Sequence, residues 1–175
     1  LSIAYTKASD KEEKRQAFFG EHSDDIISYA IHGILGSDDE RPCLVATGEI
    51  GKKPVIHIYQ WTSAKCFAPL ANICGFHTTG VCQMAFAKDG RSLFTVGVDY
   101  SIAVYKTDVL TPDDMGKMIC SSKGPKDRVL DCCSLITNPD RDPQGSFISC
   151  GEKHISFWTY KNKSLVQEEV KLSSY

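Results

Sequence analysis

The chain has 175 residues, of which 42% are hydrophobic and 24% charged, and its formal net charge is -2. These are the values of an ordinary globular domain, and they supply no bulk attraction to nucleic acid or to an anionic membrane. No apolar run approaches the roughly 18 residues of a membrane span, and the opening residues 1–5 are too short for a signal peptide and run into a charged stretch.

Leu1, Ile3 and Tyr5 alternate with smaller residues and predict a strand. A solvated charged loop over residues 7–15 separates it from a second strand at Phe18-Phe19. The pair reads as the outer hairpin of a unit whose beginning lies before residue 1. After a turn at residues 20–25, a strand follows over 26–31, with Ile27, Tyr29 and Ile31 on one face. Strands at 44–48 and 55–59 come next, and a weaker one near 65–68. The second unit starts at Gly75-Phe76-His77-Thr78-Thr79-Gly80. Its first strand covers 81–86, and Asp89-Gly90 marks a hairpin turn. Further strands are expected at 92–96, 101–105 and 117–120, with a loop over 107–114. The third unit opens at Gly124-Pro125-Lys126-Asp127-Arg128. It carries strands at 129–133, 147–150, 154–160 and 164–168, a turn-rich loop over 138–145, and a frayed end from 170.

Three copies of one pattern emerge. A strand runs into Gly48, Gly97 or Gly151, a short polar turn follows, and the next strand ends in a large aromatic at Tyr59, Tyr105 or Trp158. The spacing of about 50 residues, with four short strands per copy, is the signature of propeller blades. The expected fold is all-β, a partial β-propeller of three four-stranded blades. Their boundaries fall at 20–74, 75–123 and 124–175, and residues 1–19 supply outer strands of a preceding blade. Three blades do not close a ring, since propellers use four to eight. The expectation is therefore a piece of a longer protein that, isolated, pairs with a second copy or aggregates through its open apolar faces.

The eight cysteines form no CxxC pair and match no zinc-ribbon or finger spacing. Cys82, Cys132, Cys133 and Cys150 fall within predicted strands and read as small buried hydrophobes, reduced in a cytosolic setting. The five histidines are scattered through the repeats and read as structural. Cys132 or Cys133 with His154 makes a poor nucleophile–base pair, because burial raises a thiol pKa. Asp24-Asp25, Asp38-Asp39 and Asp113-Asp114 are acidic pairs in turns. Gly48 to Lys53 lacks the spacing of a phosphate loop. The sequence thus predicts no catalytic, cofactor or metal site. Lys52 and Lys53, Lys123 with Lys126 and Arg128, and Lys161 with Lys163 form local basic clusters on predicted loops, candidates for contact with a partner.

The pattern of Gly-His, strand, Gly-x-Asp and Ile-x-x-Trp resembles WD-repeat blades. In that family a turn His, a strand Ser or Thr, a turn Asp and a strand Trp form a buried hydrogen-bond relay. The resemblance assigns this structural role to His22, Thr47, His77, Thr95, Asp99 and Trp158. A narrower match lies in Glu21-His22-Ser23-Asp24-Asp25-Ile26-Ile27-Ser28, Ala46-Thr47-Gly48, Val96-Gly97-Val98-Asp99, Asp127-Arg128-Val129 and Cys150-Gly151-Glu152-Lys153-His154-Ile155-Ser156-Phe157-Trp158. These segments are similar to the echinoderm microtubule-associated protein-like (EMAP-like) family over roughly residues 1–160. Three departures degrade the relay. Tyr59 and Tyr105 replace the blade Trp, Pro125 stands where the third turn His would be, and residues 107–123 are longer than the family's linking turn.

The resemblance implies a HELP motif followed by tandem propellers, no enzymatic activity, and binding to tubulin or microtubules. The basic loops would meet tubulin's acidic surface. Localisation would be cytoplasmic and cytoskeletal, including the cilium or axoneme. The alternative is a WD-repeat scaffold that binds other proteins and has no particular affinity for tubulin.

Overall fold

The computed structural model describes residues 2–6, 15–33, 43–61, 67–135, 145–161 and 164–170. The first hairpin pairs β1 (Ser2–Thr6) with β2 (Arg15–Phe19). The first four-stranded sheet is β3 (Ile26–His32), β4 (Cys43–Glu49), β5 (Ile56–Trp61) and β6 (Ala68–Ile73). The second is β7 (Val81–Phe86), β8 (Ser92–Gly97), β9 (Ser101–Lys106) and β10 (Met118–Lys123). The third is β11 (Val129–Leu135), β12 (Ser146–Gly151), β13 (His154–Lys161) and β14 (Ser164–Val170). Every pairing is antiparallel between sequence neighbours, so each sheet is a simple meander. Among the described residues the one helical element is a 3₁₀ turn at Pro112–Asp114.

The sheets stack as propeller blades. The first strands β3, β7 and β11 lie side by side, and period-2 alternation divides each blade between two cores. The middle blade shows this best. Leu93, Ala103 and Tyr105 pack with Leu44, Ala46, Ile56 and Ile58 of the first blade. The alternate residues Phe94, Val96, Ile102 and Val104 pack with Phe147, Trp158 and Leu165 of the third. All six residues of β8 are buried because both faces of that strand are covered. Phe94 stacks on Phe147 with ring centroids 4.5 Å apart, and Trp158 closes the same cluster. The expected all-β partial propeller of three blades is therefore the observed architecture, and the first hairpin abuts it where Phe19 stacks on Tyr59 at 4.5 Å.

Several expectations need correction. The fourth strand of the first blade is β6, further along the chain than residues 65–68, of which 65 and 66 lie outside the described residues. β6 contains Pro69, which an edge strand accepts because its outward side needs no donor, and the register slips between Ile58 and Tyr59 beside it. Cys132 is buried as expected, but Cys133 and Cys150 are exposed on the free face of the third blade. The expected loop over residues 138–145 and the end from 171 lie outside the described residues, Gly145 excepted.

Register also corrects the alignment of the repeats. Ile56, Ile102 and Ile155 are equivalent, and they sit opposite Gly48, Val96 and Cys150. Gly48 is thus one residue out of step with Gly97 and Gly151. The residue at their place in the first blade is Glu49.

Candidate functional site

All three blades turn the same way. Each first strand starts, and each second strand ends, at one rim of the molecule. The loops at residues 20–25, 50–55, 74–80, 98–100, 124–128 and 152–153 therefore share that rim, and the buried histidines lie just beneath it.

In the second blade, His77 hydrogen-bonds through Nε2 to Thr95 Oγ1 at 2.8 Å and through Nδ1 to Ser101 Oγ at 2.6 Å. The Thr95 hydroxyl donates to the Ala103 carbonyl at 3.2 Å, so His77 Nε2 carries a proton and donates to Thr95. Ser101 Oγ also contacts Asp99 Oδ1, while Thr78 donates its backbone N–H and its hydroxyl to Asp99 Oδ2 at 2.9 and 2.8 Å. Burial lowers the His77 pKa, opposed by the Asp99 charge. Neutral His77 leaves one Ser101 hydroxyl proton to serve two acceptors. Despite partial desolvation, hydrogen bonds from Ser101 and Thr78 bring the Asp99 carboxyl down to about 2.

The first blade reaches a similar end by another route. His22 Nδ1–H donates to Glu49 Oε1 at 2.9 Å, and the Thr47 hydroxyl donates to His22 Nε2 at 2.7 Å. Glu49 also accepts the Ser23 N–H at 2.7 Å and the Val55 N–H at 3.3 Å. The carboxylate is only 1% exposed. The reason lies in its position. A Cβ placed on Gly97 would come within 2.2 Å of Asp99 Oδ1, 2.5 Å of His77 Nδ1 and 2.7 Å of Ser101 Oγ. That position points into the relay, and in the first blade Glu49 fills the space that Asp99 and Ser101 fill in the second. Opposite Thr47 stands His57, where the other blades have Ala103 and Ser156. His57 Nδ1–H donates to Asn72 Oδ1 at 2.8 Å. Its Nε2 lies 3.8 Å from Glu49 Oε1 and has no hydrogen-bond partner among the described residues.

The third blade has neither a turn His nor a turn carboxylate in the relay. Trp158 Nε1–H donates directly to Ser149 Oγ at 2.9 Å, in the place of Thr47 and Thr95. His154 is buried with Nδ1 3.1 Å from the Glu152 carbonyl. Tyr100 and Lys153 both have φ of 63° at matching turn positions, so the second and third blades share a left-handed turn. Gly51 at φ 136° serves the first.

The structure thus brings His22 to Thr47, and His77 to Thr95 and Asp99, while Trp158 stands apart in its own blade. Sequence reading missed Glu49, His57, Asn72, Ser101 and Ser149. Aligning the copies on the strand residues Thr47, Thr95 and Ser149, instead of on the glycines, exposes Glu49.

The basic residues divide between the two ends. Lys52, Lys53, Lys123, Lys126 and Arg128 are exposed at the relay rim. β13 runs away from that rim, so Lys161 at its end belongs to the opposite side. Nothing of Lys163, or of the Lys161 side chain, is described. Between the rim loops lies a cleft of about 480 Å³, lined by Ile27, Ile50, Val98, Tyr100, Arg128 and Leu130, among others. No catalytic constellation accompanies it among the described residues. Burial drives the Cys132 thiol far up and Cys120 to about 11, which keeps both inert.

Comparison with known proteins agrees with this architecture. No family model matches the chain. The 77 kDa echinoderm microtubule-associated protein of Lytechinus variegatus is 29% identical over 165 residues, 90% of this chain and 22% of the relative. The chain therefore spans less than a quarter of that relative's length. Among solved structures, Saccharomyces cerevisiae Sqt1 matches with a TM-score of 0.63 at 16% identity, over 88% of this chain and 37% of that one. The RRP9 WD40 repeats match with a TM-score of 0.59 at 14% identity, over 97% of this chain and 41% of that one. These two similarities concern the fold alone.

Proposed function

We propose that this chain, a WD-repeat propeller segment similar to the EMAP-like proteins, is a non-catalytic scaffold that binds microtubules through its relay rim. Residues 20–74, 75–123 and 124–175 serve as its blades, with residues 1–19 as outer strands of a preceding one. The relay residues His22, Thr47, His77, Thr95, Asp99 and Trp158 have a structural role: they fix the rim loops from below. The reading places the protein in the cytoplasm on the cytoskeleton.

The observation that carries this reading is the gathering of Lys52, Lys53, Lys126 and Arg128, on loops, with Lys123, which ends β10 instead of lying on the expected loop, all exposed at one rim. Exposed Glu21, Asp24, Asp25, Asp127 and Glu152 stand on the same rim, so these basic residues act as local clusters and not as a net positive surface. An acidic protein surface such as tubulin's is the complementary partner, and the similarity to a microtubule-associated relative supports the choice. Co-sedimentation with microtubules tests it. Pelleting should weaken with salt and with Lys52→Glu, Lys53→Glu, Lys126→Glu and Arg128→Glu combined. Salt-insensitive pelleting, or none, contradicts it.

A second reading rests on the cleft. Ile50, Val98, Tyr100 and Leu130 are large apolar side chains at least 39% exposed around it. Such a rim suits a peptide of another protein partner. A partner retained by the charge-reversed variant and lost by Tyr100→Ala with Leu130→Ala would favour that reading. The exposed Ile27, Tyr29 and Ile31 of β3 also leave an apolar face for self-association, which light scattering of the isolated chain would detect as a dimer or larger species.

A further inference from the structure

We infer that His22, Glu49 and His57 of the first blade form a binding site for a divalent first-row cation of the zinc class. The inference stands apart from the microtubule reading and rests on the side-chain geometry beneath the rim.

The three residues place one ligand atom each within 4.8 Å of one another. Two imidazoles and a carboxylate are the donor set that zinc and its neighbours take. With metal–ligand bonds of about 2.0–2.1 Å, a tetrahedral centre separates its ligand atoms by about 3.3 Å. Glu49 Oε1 stands 2.9 Å from His22 Nδ1 and 3.8 Å from His57 Nε2. These two separations therefore need to change by only about half an ångström, and the His22 and His57 ligand atoms, within 4.8 Å of each other, close on the same centre.

His57 makes the stronger argument. It is 4% exposed, and its Nδ1–H is committed to Asn72. That bond fixes the tautomer and turns the Nε2 lone pair toward a carboxylate oxygen, with no proton between them. A lone pair facing an anion in a buried site is unfavourable. A cation between them turns the mismatch into two bonds. Asn72 then holds the ring as the outer partners of metal-bound histidines do. Thr47 stands behind His22 in the same role, and the Ser23 and Val55 N–H groups steady Glu49.

The proton count balances. His22 shifts its proton from Nδ1, which takes the metal, to Nε2, which then donates to Thr47 Oγ1. Two neutral imidazoles and one carboxylate leave a divalent centre with one positive charge and release no proton. The loop over residues 20–25 supplies His22, and the exposed Glu21, Asp24 and Asp25 on it add negative charge that favours a cation nearby. The other blades cannot build the site, since they have Gly97 and Ala103, or Gly151 and Ser156, at the positions of Glu49 and His57.

The test is cobalt(II) added alone to the full chain after chelator treatment. Binding of one cobalt per chain is expected, with ligand-field absorption and without thiolate-to-cobalt charge transfer. The spectrum separates this site from the exposed thiols Cys74, Cys133 and Cys150. His57→Gln, which leaves the His22 relay bonds in place, should weaken binding at least about 100-fold, and Asn72→Ala about 10–100-fold. His77→Gln in the second blade should leave affinity unchanged. No cobalt bound, a thiolate spectrum, or an affinity indifferent to both His57→Gln and Asn72→Ala would overturn the assignment.

Discussion

In the second blade the carboxylate that closes the relay hangs from the turn, at Asp99, with its side chain 20% exposed; in the first it hangs from the end of the strand, at Glu49, 1% exposed. The histidines above them, His77 and His22, face the same way and meet equivalent threonines. A glycine at position 97 leaves room for Ser101 and Asp99 to reach His77 from the side. A glutamate at position 49 occupies that room itself. The blade therefore specifies where a histidine sits and leaves open which position supplies its anion. The third blade takes the comparison to its limit. It lacks both the histidine and the anion, and its serine is satisfied by the indole of Trp158.

The largest effect should come from the third blade, whose relay is reduced to Trp158 and Ser149. Trp158→Ala empties the core between the second and third blades and should cost about 3–5 kcal/mol in denaturant unfolding. A loss below about 1 kcal/mol would show that this interface contributes little. Next, Gly97→Ala places a methyl among Asp99, His77 and Ser101 and should cost about 1–3 kcal/mol. Glu49→Ala, at the matching position, should cost a similar amount for the opposite reason, because it strips His22 and the Ser23 N–H of their acceptor. A neutral Gly97→Ala would break the proposed equivalence of the two positions.

The acid limb probes the second relay. Asp99 is depressed to about 2 in the folded protein against a usual carboxylate value near 4. Its contribution is therefore complete above about pH 4 and is lost as pH falls toward 2. Asp99→Asn should flatten that part of the stability–pH curve; a curve of unchanged steepness would contradict the relay drawn here. The smallest effect is a gain. Tyr105 Oη is buried without a hydrogen-bond partner among the described residues, so Tyr105→Phe should raise stability by up to about 1 kcal/mol. A loss of stability on that change would reveal a bond to the hydroxyl.

Much of this was readable in the chain. Short apolar runs such as Leu93 to Val96, ending at a glycine and a polar turn, predicted strands, and the recurrence of strand, turn and aromatic predicted blades, because both are local features of the chain. His77 with Asp99 was legible because the pair lies within one repeat and matches a known pattern. Glu49 was not, because a glycine one residue earlier offered a false alignment, and only strand pairing settles register. His57 and Asn72 were hidden for a related reason. They come together across β5 and β6, beyond any short motif, so no ligand spacing announced them. The exposure of Cys133 and Cys150 was missed because a strand assignment does not reveal which sheet face is covered.

The central claim is that Glu49, from a strand position that is glycine in the other blades, has become the anion of the first relay. A double-mutant cycle on His22 and Glu49, followed by denaturant unfolding, tests it most directly. The account predicts a coupling of roughly 0.5–3 kcal/mol between them, and additivity within about 0.5 kcal/mol for the control pair His77 and Glu49. Additive effects of His22→Ala and Glu49→Ala would contradict it.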